Sequence, residues 1–154
     1  MTTAICARKW VLAIFAVAIG VRLAAFWLLP EPHMAYNAIF AYVKGAEILV
    51  NGQGFSDPSF PVYTPPLYSI LIAAGTVVFG DGIYAIKILQ IIADACTSVL
   101  VYLIARRVFN DYIAVLAGAL WSLYPFAIYA TLYIGTEVFF TLFIALFLLL
   151  LIYS

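Results

Sequence analysis

The fold of this chain is decided by residues 30–81, which run PEPHMAYNAIFAYVKGAEILVNGQGFSDPSFPVYTPPLYSILIAAGTVVFGD. This is the only long interval that does not have the pattern of a plain membrane span. Its centre, residues 36–50, predicts a short amphipathic helix that ends at Asn51-Gly52. A Pro- and Gly-rich turn follows, and a second apolar segment begins at Pro65-Pro66. The rest of the sequence predicts membrane helices that hold this interval on one face of a bilayer.

The composition indicates an integral membrane protein. The chain is 68% hydrophobic and 9% charged, with a mean hydropathy of +1.16. Soluble domains have roughly a quarter of their residues charged. The formal net charge is zero, which gives no reason to expect a nucleic-acid partner. Membrane lipid is the partner that the composition predicts.

The first apolar run, residues 10–29, is long enough to cross a bilayer, because twenty residues of helix span about 30 Å. Arg8 and Lys9 precede it, so the N-terminus is predicted to be cytoplasmic. Arg22 lies inside this run, about two turns from the outer end. Two interpretations of Arg22 stay open: its side chain extends to the outer headgroups, or it faces the helix bundle and pairs with an acidic residue or a phosphate.

The arginine pair at 106–107 fixes the predicted topology. Residues 67–79 form a helix of only about 20 Å, which is too short to cross. The next run, residues 82–105, is long enough and ends at Arg106-Arg107, which should be cytoplasmic. Residues 67–79 therefore stay on the outer side, and 30–81 becomes an outer loop with two membrane-surface helices.

Two further spans complete the predicted fold. Residues 112–134 form the third span, kinked by Pro125, and bring residues 135–137 to the outer face. The fourth span, residues 138–153, returns inward and ends without a polar cap, so we expect the sequence to be the N-terminal piece of a longer protein. The predicted fold class is an all-α membrane protein with about four transmembrane helices.

The second span has one polar face, formed by Lys87, Gln90, Asp94 and Thr97 (or Ser98). Asp94 lies near the bilayer centre, where a charge costs about 2.5–3.5 kcal/mol, so it must be paired or protonated within the bundle. A polar bridge between helices would account for it. Lys87 lies about one turn below the outer surface, where it either meets a lipid phosphate or extends to the headgroups.

The ordered motifs of the chain together carry a family resemblance. They are YVKGAEILVNGQGF (42–55), PPLY (65–68), FG (79–80), KILQ (87–90), YLIARRVF (102–109), YP (124–125) and GTE (135–137). In this order they resemble the N-terminal end of the C-type glycosyltransferase (GT-C) superfamily. The nearest groups are family 39, the dolichyl-phosphate-mannose protein mannosyltransferases, and the aminoarabinose-transferase-like enzymes, which use polyprenyl-phosphate sugars.

The resemblance implies transfer of a sugar from a polyprenyl-phosphate donor to an acceptor hydroxyl on the extracytoplasmic side of the plasma (inner) membrane. Lys87 and Arg22 would neutralise the donor phosphate, and Glu31 or Glu137 would deprotonate the acceptor. The residues that would line the pocket are Asn37, Tyr42, Tyr63 and Tyr68. No cofactor is implied. A metal site is not predicted, since Glu31, His33 and Glu137 are too few and too scattered, although a requirement for a divalent metal stays open.

One departure from the family pattern concerns the catalytic base. The family places an acidic residue, usually Asp, about four residues before the loop-helix tyrosine, and here Asn37 and Ala38 stand in that region. An amide cannot accept the hydroxyl proton at neutral pH. Three interpretations stay open: Glu31 substitutes, Glu137 is the base, or the chain is an inactive copy. The alternative class is a non-enzymatic integral membrane subunit or a transporter fragment, because transporters also bury charges in their spans.

Overall fold

The computed structural model describes the backbone of residues 2–30, 36–61 and 63–154, and the side chains of residues 7–30, 40–61 and 63–154. The described residues form seven helices and no strand, so they are all-α as predicted. The helices are α1 (Thr2–Leu28), α2 (Tyr36–Val50), α3 (Pro66–Phe79), α4 (Gly82–Val108), α5 (Asp111–Leu123), α6 (Pro125–Ala130) and α7 (Glu137–Tyr153).

Two helices in the described part of the chain are long and apolar enough to cross a membrane. They are Ala7–Leu28, within α1, and Gly82–Val108, which is α4. These correspond to the first and second predicted spans. The helices α3, α5 and α7 are apolar but shorter.

The helices of the predicted outer loop follow local sequence signals. Helix α2 has the predicted bounds, because Asn51-Gly52 cannot easily continue it. Helix α3 begins at Pro66, one residue earlier than predicted, since proline is well tolerated in the first turn of a helix. The Asp81 carboxylate then accepts a hydrogen bond from the Tyr84 N–H at 2.9 Å and caps the start of α4.

The predicted third span, 112–134, is not one helix. Helix α5 ends at Leu123, Tyr124 is extended (φ −67°, ψ 115°), and Pro125 begins the short helix α6. A residue that precedes proline is disfavoured in the helical region, and proline has no N–H to continue the hydrogen-bond ladder. The chain is therefore interrupted at Tyr124 where the sequence predicted only a kink. Residues 131–136 follow as non-helical backbone.

The chain divides into two compact units. We call residues 1–30, 90–132 and 137–154 the span unit, and residues 31–89 and 133–136 the loop unit. Helix α4 contributes its first turns to the loop unit and the rest to the span unit.

The core of the span unit joins α1, α4 and α5. Ile14, Tyr102, Ala105 and Ala114 are buried together. Gly118 of α5 lies directly against this cluster, and a Cβ atom there would come within 2.8 Å of Ile14 Cδ1 and 3.0 Å of Tyr102 Cβ. The missing side chain lets α5 approach both neighbours closely.

The core of the loop unit is the packing of α2 on α3. Gly45 of α2 faces Ser69 of α3, and a Cβ atom at position 45 would lie 2.6 Å from Ser69 Oγ. One turn away, the ring of Tyr42 packs on the ring of Tyr68, with centroids 4.8 Å apart. A small residue and a ring pair thus set the distance between these two helices.

Candidate functional site

A buried ion pair joins α1 to α4 within the span unit. Arg22 is 0% exposed and Asp94 is 2% exposed. Nε of Arg22 donates to Oδ2 of Asp94 at 2.5 Å, and Nη2 contacts the same oxygen. The indole N–H of Trp121 donates to Oδ1 of Asp94 at 3.2 Å. Arg22 is therefore a bundle-facing cation paired with an acidic residue, and Asp94 has the partner that the sequence left unidentified.

The same guanidinium closes the helix end created by Pro125. Because Pro125 has no N–H, the Trp121 carbonyl loses its i+4 donor and accepts instead from the Tyr124 N–H at 3.2 Å. Nη1 of Arg22 donates to the Ser122 carbonyl at 2.9 Å, and Nη2 lies 3.4 Å from the Trp121 carbonyl. A cation at the carboxyl end of a helix also interacts favourably with the helix dipole. Arg22 thus donates to carbonyls at the end of α5, while Asp94 neutralises the charge of the Arg22 guanidinium.

Gln90 performs a similar role at the end of α6. Its Nε2 lies 3.3 Å from the Ala130 carbonyl and 3.4 Å from the Thr131 carbonyl. Non-helical backbone at membrane depth is tolerated only where protein groups satisfy its hydrogen bonds. The polar face of α4 therefore acts as a bridge to the interrupted segment, which is one of the interpretations that the sequence offered for Asp94.

Two of the three tyrosines predicted to line the pocket, Tyr42 and Tyr68, are core residues of the loop unit. Tyr42 is 7% exposed and Tyr68 is 2% exposed. The hydroxyl oxygen of Tyr68 accepts a hydrogen bond from the Gly135 N–H at 3.2 Å. Tyr68 thus contacts the non-helical segment at 133–136, and Tyr42 packs on the ring of Tyr68.

Glu137 lies at the first position of α7, two residues after Gly135, and is exposed. A carboxylate there is stabilised by the positive end of the helix dipole. The exposed position also leaves the carboxylate accessible to another molecule. Both properties are compatible with a base that works while ionised.

The remaining predicted residues lie in different surroundings. Tyr63 is 76% exposed, and Lys87 is 2% exposed in the first turns of α4. Lys87 already has an interaction partner, so it is not a free cation. Glu31 lies outside the described residues, and so does the side chain of Asn37, whose backbone belongs to α2.

The loop unit contains a cavity of about 350 Å³ whose polar lining residues were not assigned to a site from the sequence. It lies among α2, α3 and the start of α4, with Glu47, Asn51 and Asp81 around an apolar floor that includes Ile72. Such groups can bind hydroxyl or amino groups of a ligand. The acidic residues were visible in the sequence, but their convergence depends on how α2 packs on α3.

No group of three His, Cys, Asp or Glu residues within the described ranges lies close enough together to hold a metal ion. Glu31 and His33 are outside those ranges.

Comparison with known proteins assigns the chain to a family of the C-type glycosyltransferase superfamily. Residues 63–153 match the family model described as dolichyl-phosphate-mannose-protein mannosyltransferase, which is more than half of the chain. The chain belongs to this family. The matched range contains Tyr68, the polar face of α4, the Pro125 interruption and Glu137, so the resemblance carried by the ordered motifs is confirmed.

A curated relative supports the same class. The chain is 30% identical over 121 residues to the undecaprenyl phosphate-alpha-4-amino-4-deoxy-L-arabinose arabinosyl transferase 1 of Pseudomonas fluorescens. The alignment covers 73% of this chain and 21% of that protein, so the chain spans about a fifth of the length of the relative it matches. No solved structure matches the chain.

Proposed function

We propose that the protein transfers a sugar from a polyprenyl-phosphate donor to an acceptor hydroxyl on the extracytoplasmic side of the plasma (inner) membrane. The observation that carries this proposal is the family match over residues 63–153. The name of the Pseudomonas fluorescens relative describes that protein as an arabinosyl transferase acting with an undecaprenyl phosphate-linked sugar. For this chain the donor class is a polyprenyl-phosphate sugar, and membrane lipid surrounds it.

The chemical step needs a base and a stabilised leaving group. The acceptor oxygen attacks the anomeric carbon, the bond from that carbon to the phosphate oxygen breaks, and the acceptor proton passes to a carboxylate. We assign the carboxylate to Glu137, with Glu31 as the second candidate. The exposure of Glu137 and its place two residues after the Gly135 contact support this assignment.

Lys87 is assigned to the phosphate that leaves. An ammonium group near the departing oxygen offsets the developing negative charge. Since Lys87 already has an interaction partner, the phosphate would join or replace that partner. A phosphate contact by Arg22 stays a prediction, and it would require the guanidinium to leave Asp94.

The pocket residues divide into two groups. Tyr42 and Tyr68 position the backbone that leads to Glu137, as their contacts support. Tyr63 is exposed, so its ring is available to stack on a sugar or to lie at the membrane interface. Asn37 would orient a hydroxyl without accepting its proton.

The proposed topology has four spans and a cytoplasmic N-terminus. It is supported by the exposed Arg8 and Lys9 at one end of α1 and by the Arg106-Arg107 pair at the end of α4. In a variant without Cys6 and Cys96, a cysteine at the exposed Ser56 should react with an impermeant reagent in intact cells. A cysteine at Asn110 should react only after permeabilisation. The reverse result would contradict the topology.

The proposed activity is tested by supplying a radiolabelled polyprenyl-phosphate sugar to membranes that contain the complete gene product. Transfer to an endogenous acceptor is expected for the wild type and for Asp57→Asn, a control at a loop carboxylate. Glu137→Gln should lower the rate by about 10²–10⁴-fold, the usual contribution of a general base. If Glu31→Gln abolishes transfer and Glu137→Gln does not, Glu31 is the base.

A second candidate function rests on Asn37, which stands where the family has its acidic residue. In this alternative the chain is a non-enzymatic membrane subunit. Normal expression and membrane insertion with no transfer from the labelled donor would support it. The transporter alternative loses its main argument, because the charge of Asp94 is accounted for by its pairing with Arg22.

A further inference from the structure

A second cavity lies at the turn between α4 and α5, within the span unit. Its volume is about 530 Å³, and its walls include Arg106, Arg107, Asn110, Asp111 and Tyr153. None of these residues was assigned a role in sugar transfer. Arg106 lies 19 residues after Lys87 on the same helix, about 28 Å along its axis, so this cavity is separate from the proposed donor site.

The two arginines are held in different ways. Nε of Arg106 donates to Oδ1 of Asp111 at 2.7 Å, which fixes the guanidinium and leaves its terminal nitrogens for other acceptors. The guanidinium of Arg107 lies over the Tyr153 ring, 4.0 Å from the centroid. A guanidinium stacked on a ring keeps its N–H groups in its own plane, where they can form a two-point contact with a phosphate.

The local charge favours an anion. The side chains that line the cavity include two guanidinium groups and one carboxylate, that of Asp111, which leaves one positive charge in excess. Helix α5 begins at the same place, with its N-cap Asn110 accepting from the Ile113 N–H at 3.0 Å, and the positive end of its dipole adds to the field.

The surroundings place this charge at the edge of an apolar layer. It lies at the end of α4, a helix apolar and long enough to cross a membrane. Phe109, Tyr112 and Tyr153 are 62%, 79% and 56% exposed, as is typical of aromatic residues at a membrane interface.

We propose that the cavity formed by Arg106, Arg107 and Tyr153 binds the phosphate headgroup of an anionic phospholipid. The apolar residues beside the cavity would contact the acyl chains of the same lipid. A basic pocket at the end of membrane helices is a known arrangement for anionic headgroups in general. Inorganic phosphate presents the same oxygen atoms as a lipid headgroup, so the experiment below compares phosphatidylglycerol with inorganic phosphate.

The test reconstitutes the full-length protein in nanodiscs of phosphatidylcholine with increasing phosphatidylglycerol. The readout is the midpoint of thermal unfolding, from which an apparent dissociation constant for phosphatidylglycerol is obtained. Arg107→Gln should raise this apparent dissociation constant about fivefold, because one basic residue near a membrane surface contributes about that much to lipid binding. The matched control is Arg8→Gln with Lys9→Gln, which removes exposed charge from the same predicted face without touching the cavity, and it should bind as the wild type does.

Two further measurements use the Arg107→Lys variant and inorganic phosphate. Arg107→Lys keeps the charge but not the planar fork, and binding intermediate between wild type and Arg107→Gln supports a shaped site. Inorganic phosphate added to the protein in neutral detergent should raise the midpoint of thermal unfolding far less than phosphatidylglycerol does. Equal protection by phosphate would overturn the lipid assignment in favour of a free anion. If the Arg8→Gln, Lys9→Gln control loses as much affinity for phosphatidylglycerol as Arg107→Gln does, the proposed site is wrong. Surface charge alone would then explain the binding.

Discussion

The span unit and the loop unit close their interiors by different means. In the span unit, Arg22 and Gln90 donate to backbone carbonyls at the ends of α5 and α6, and Asp94 pairs with Arg22. In the loop unit, α2 and α3 pack through Gly45 and a pair of tyrosine rings. Its buried Ser69 hydroxyl has no hydrogen-bond partner among the described residues.

This difference distinguishes charged groups that stabilise the fold from charged groups that stay accessible to a substrate. Buried charges in membrane spans invite a functional interpretation, but those of the span unit are occupied by one another and by freed carbonyl groups. The carboxylate left accessible at the end of the interrupted segment is Glu137.

The largest effect is expected from Asp94→Leu. Removing the carboxylate leaves Arg22 buried without a counter-ion, which destabilises by about 3–5 kcal/mol. Denaturant or thermal unfolding in detergent, followed by helical circular dichroism, measures the loss. The control is Glu47→Leu, which removes an exposed partner of Lys44 at 3.9 Å and should cost less than about 1 kcal/mol. Equal losses would mean that the buried pair has no special role.

Pro125→Ala tests whether the interruption positions the segment before Glu137. Alanine allows α5 to continue, so folding stability should be unchanged or higher. If Glu137 is the base, as proposed, transfer activity should fall about a hundredfold, the usual effect of displacing a catalytic group by about 1 Å. Pro58→Ala, in the exposed turn of the loop unit, is the matched control. Wild-type activity in Pro125→Ala would show that the interruption does not serve the site.

Gly45→Ala tests the close packing of the loop unit. The new methyl group would meet Ser69 Oγ at 2.6 Å and the Phe60 ring at 3.3 Å, and overpacking of this kind costs about 1–3 kcal/mol. Gly20→Ala is the control, because nothing lies within 4 Å of a Cβ atom at that position. The packing account fails if both variants unfold at the same midpoint.

Ser69→Ala should be nearly neutral or should stabilise the protein by up to about 1 kcal/mol, because it removes a buried hydroxyl that lacks a partner. The comparison is Thr64→Ala in the same unit, which removes a hydrogen bond of 2.8 Å to the Pro61 carbonyl and should cost about 1 kcal/mol. A larger cost for Ser69→Ala would indicate a partner for its hydroxyl.

The positions of most helices could be predicted from the sequence, but the contacts between the helices could not. The end of α2 followed from Asn51-Gly52, and the two long helices followed from their length and apolarity. The interruption at Pro125 was underestimated because a proline bends or breaks a helix according to which groups satisfy the freed carbonyls. For α5 this group is the Arg22 guanidinium, and Gln90 donates to the carbonyls at the end of α6; both are distant in sequence from the backbone they contact.

The Arg22–Asp94 pair illustrates the same limit. Arg22 lies six residues from the end of α1, about 9 Å, whereas Asp94 lies twelve residues into α4, about 18 Å. Counted along the helices, the two residues are at different predicted depths. The long arginine side chain, which leans toward the N-terminus of its helix, spans the difference. Whether it does so depends on which faces of the helices meet.

The smallest effect concerns Asp57 in the exposed turn. The hydrogen bonds that it accepts from the Ser59 hydroxyl and N–H lower the pKa of Asp57. A pKa lowered by folding adds stability above the unfolded pKa, and this contribution is lost as the pH falls through the folded pKa. Ser59→Ala should therefore raise the pKa of Asp57, as measured by NMR titration, while Ser56→Ala should not.

The most direct test of the division between structural and chemical charges is the coupling energy between Arg22 and Asp94. It is obtained from the unfolding free energies of the wild type, Arg22→Leu, Asp94→Leu and the double variant. We expect a coupling of about 2–3 kcal/mol, as found for contacting buried groups, against less than about 0.5 kcal/mol for the exposed Lys44–Glu47 pair. A coupling for Arg22 and Asp94 no larger than that of the exposed pair would contradict the account, and would return both residues to the list of groups available for chemistry.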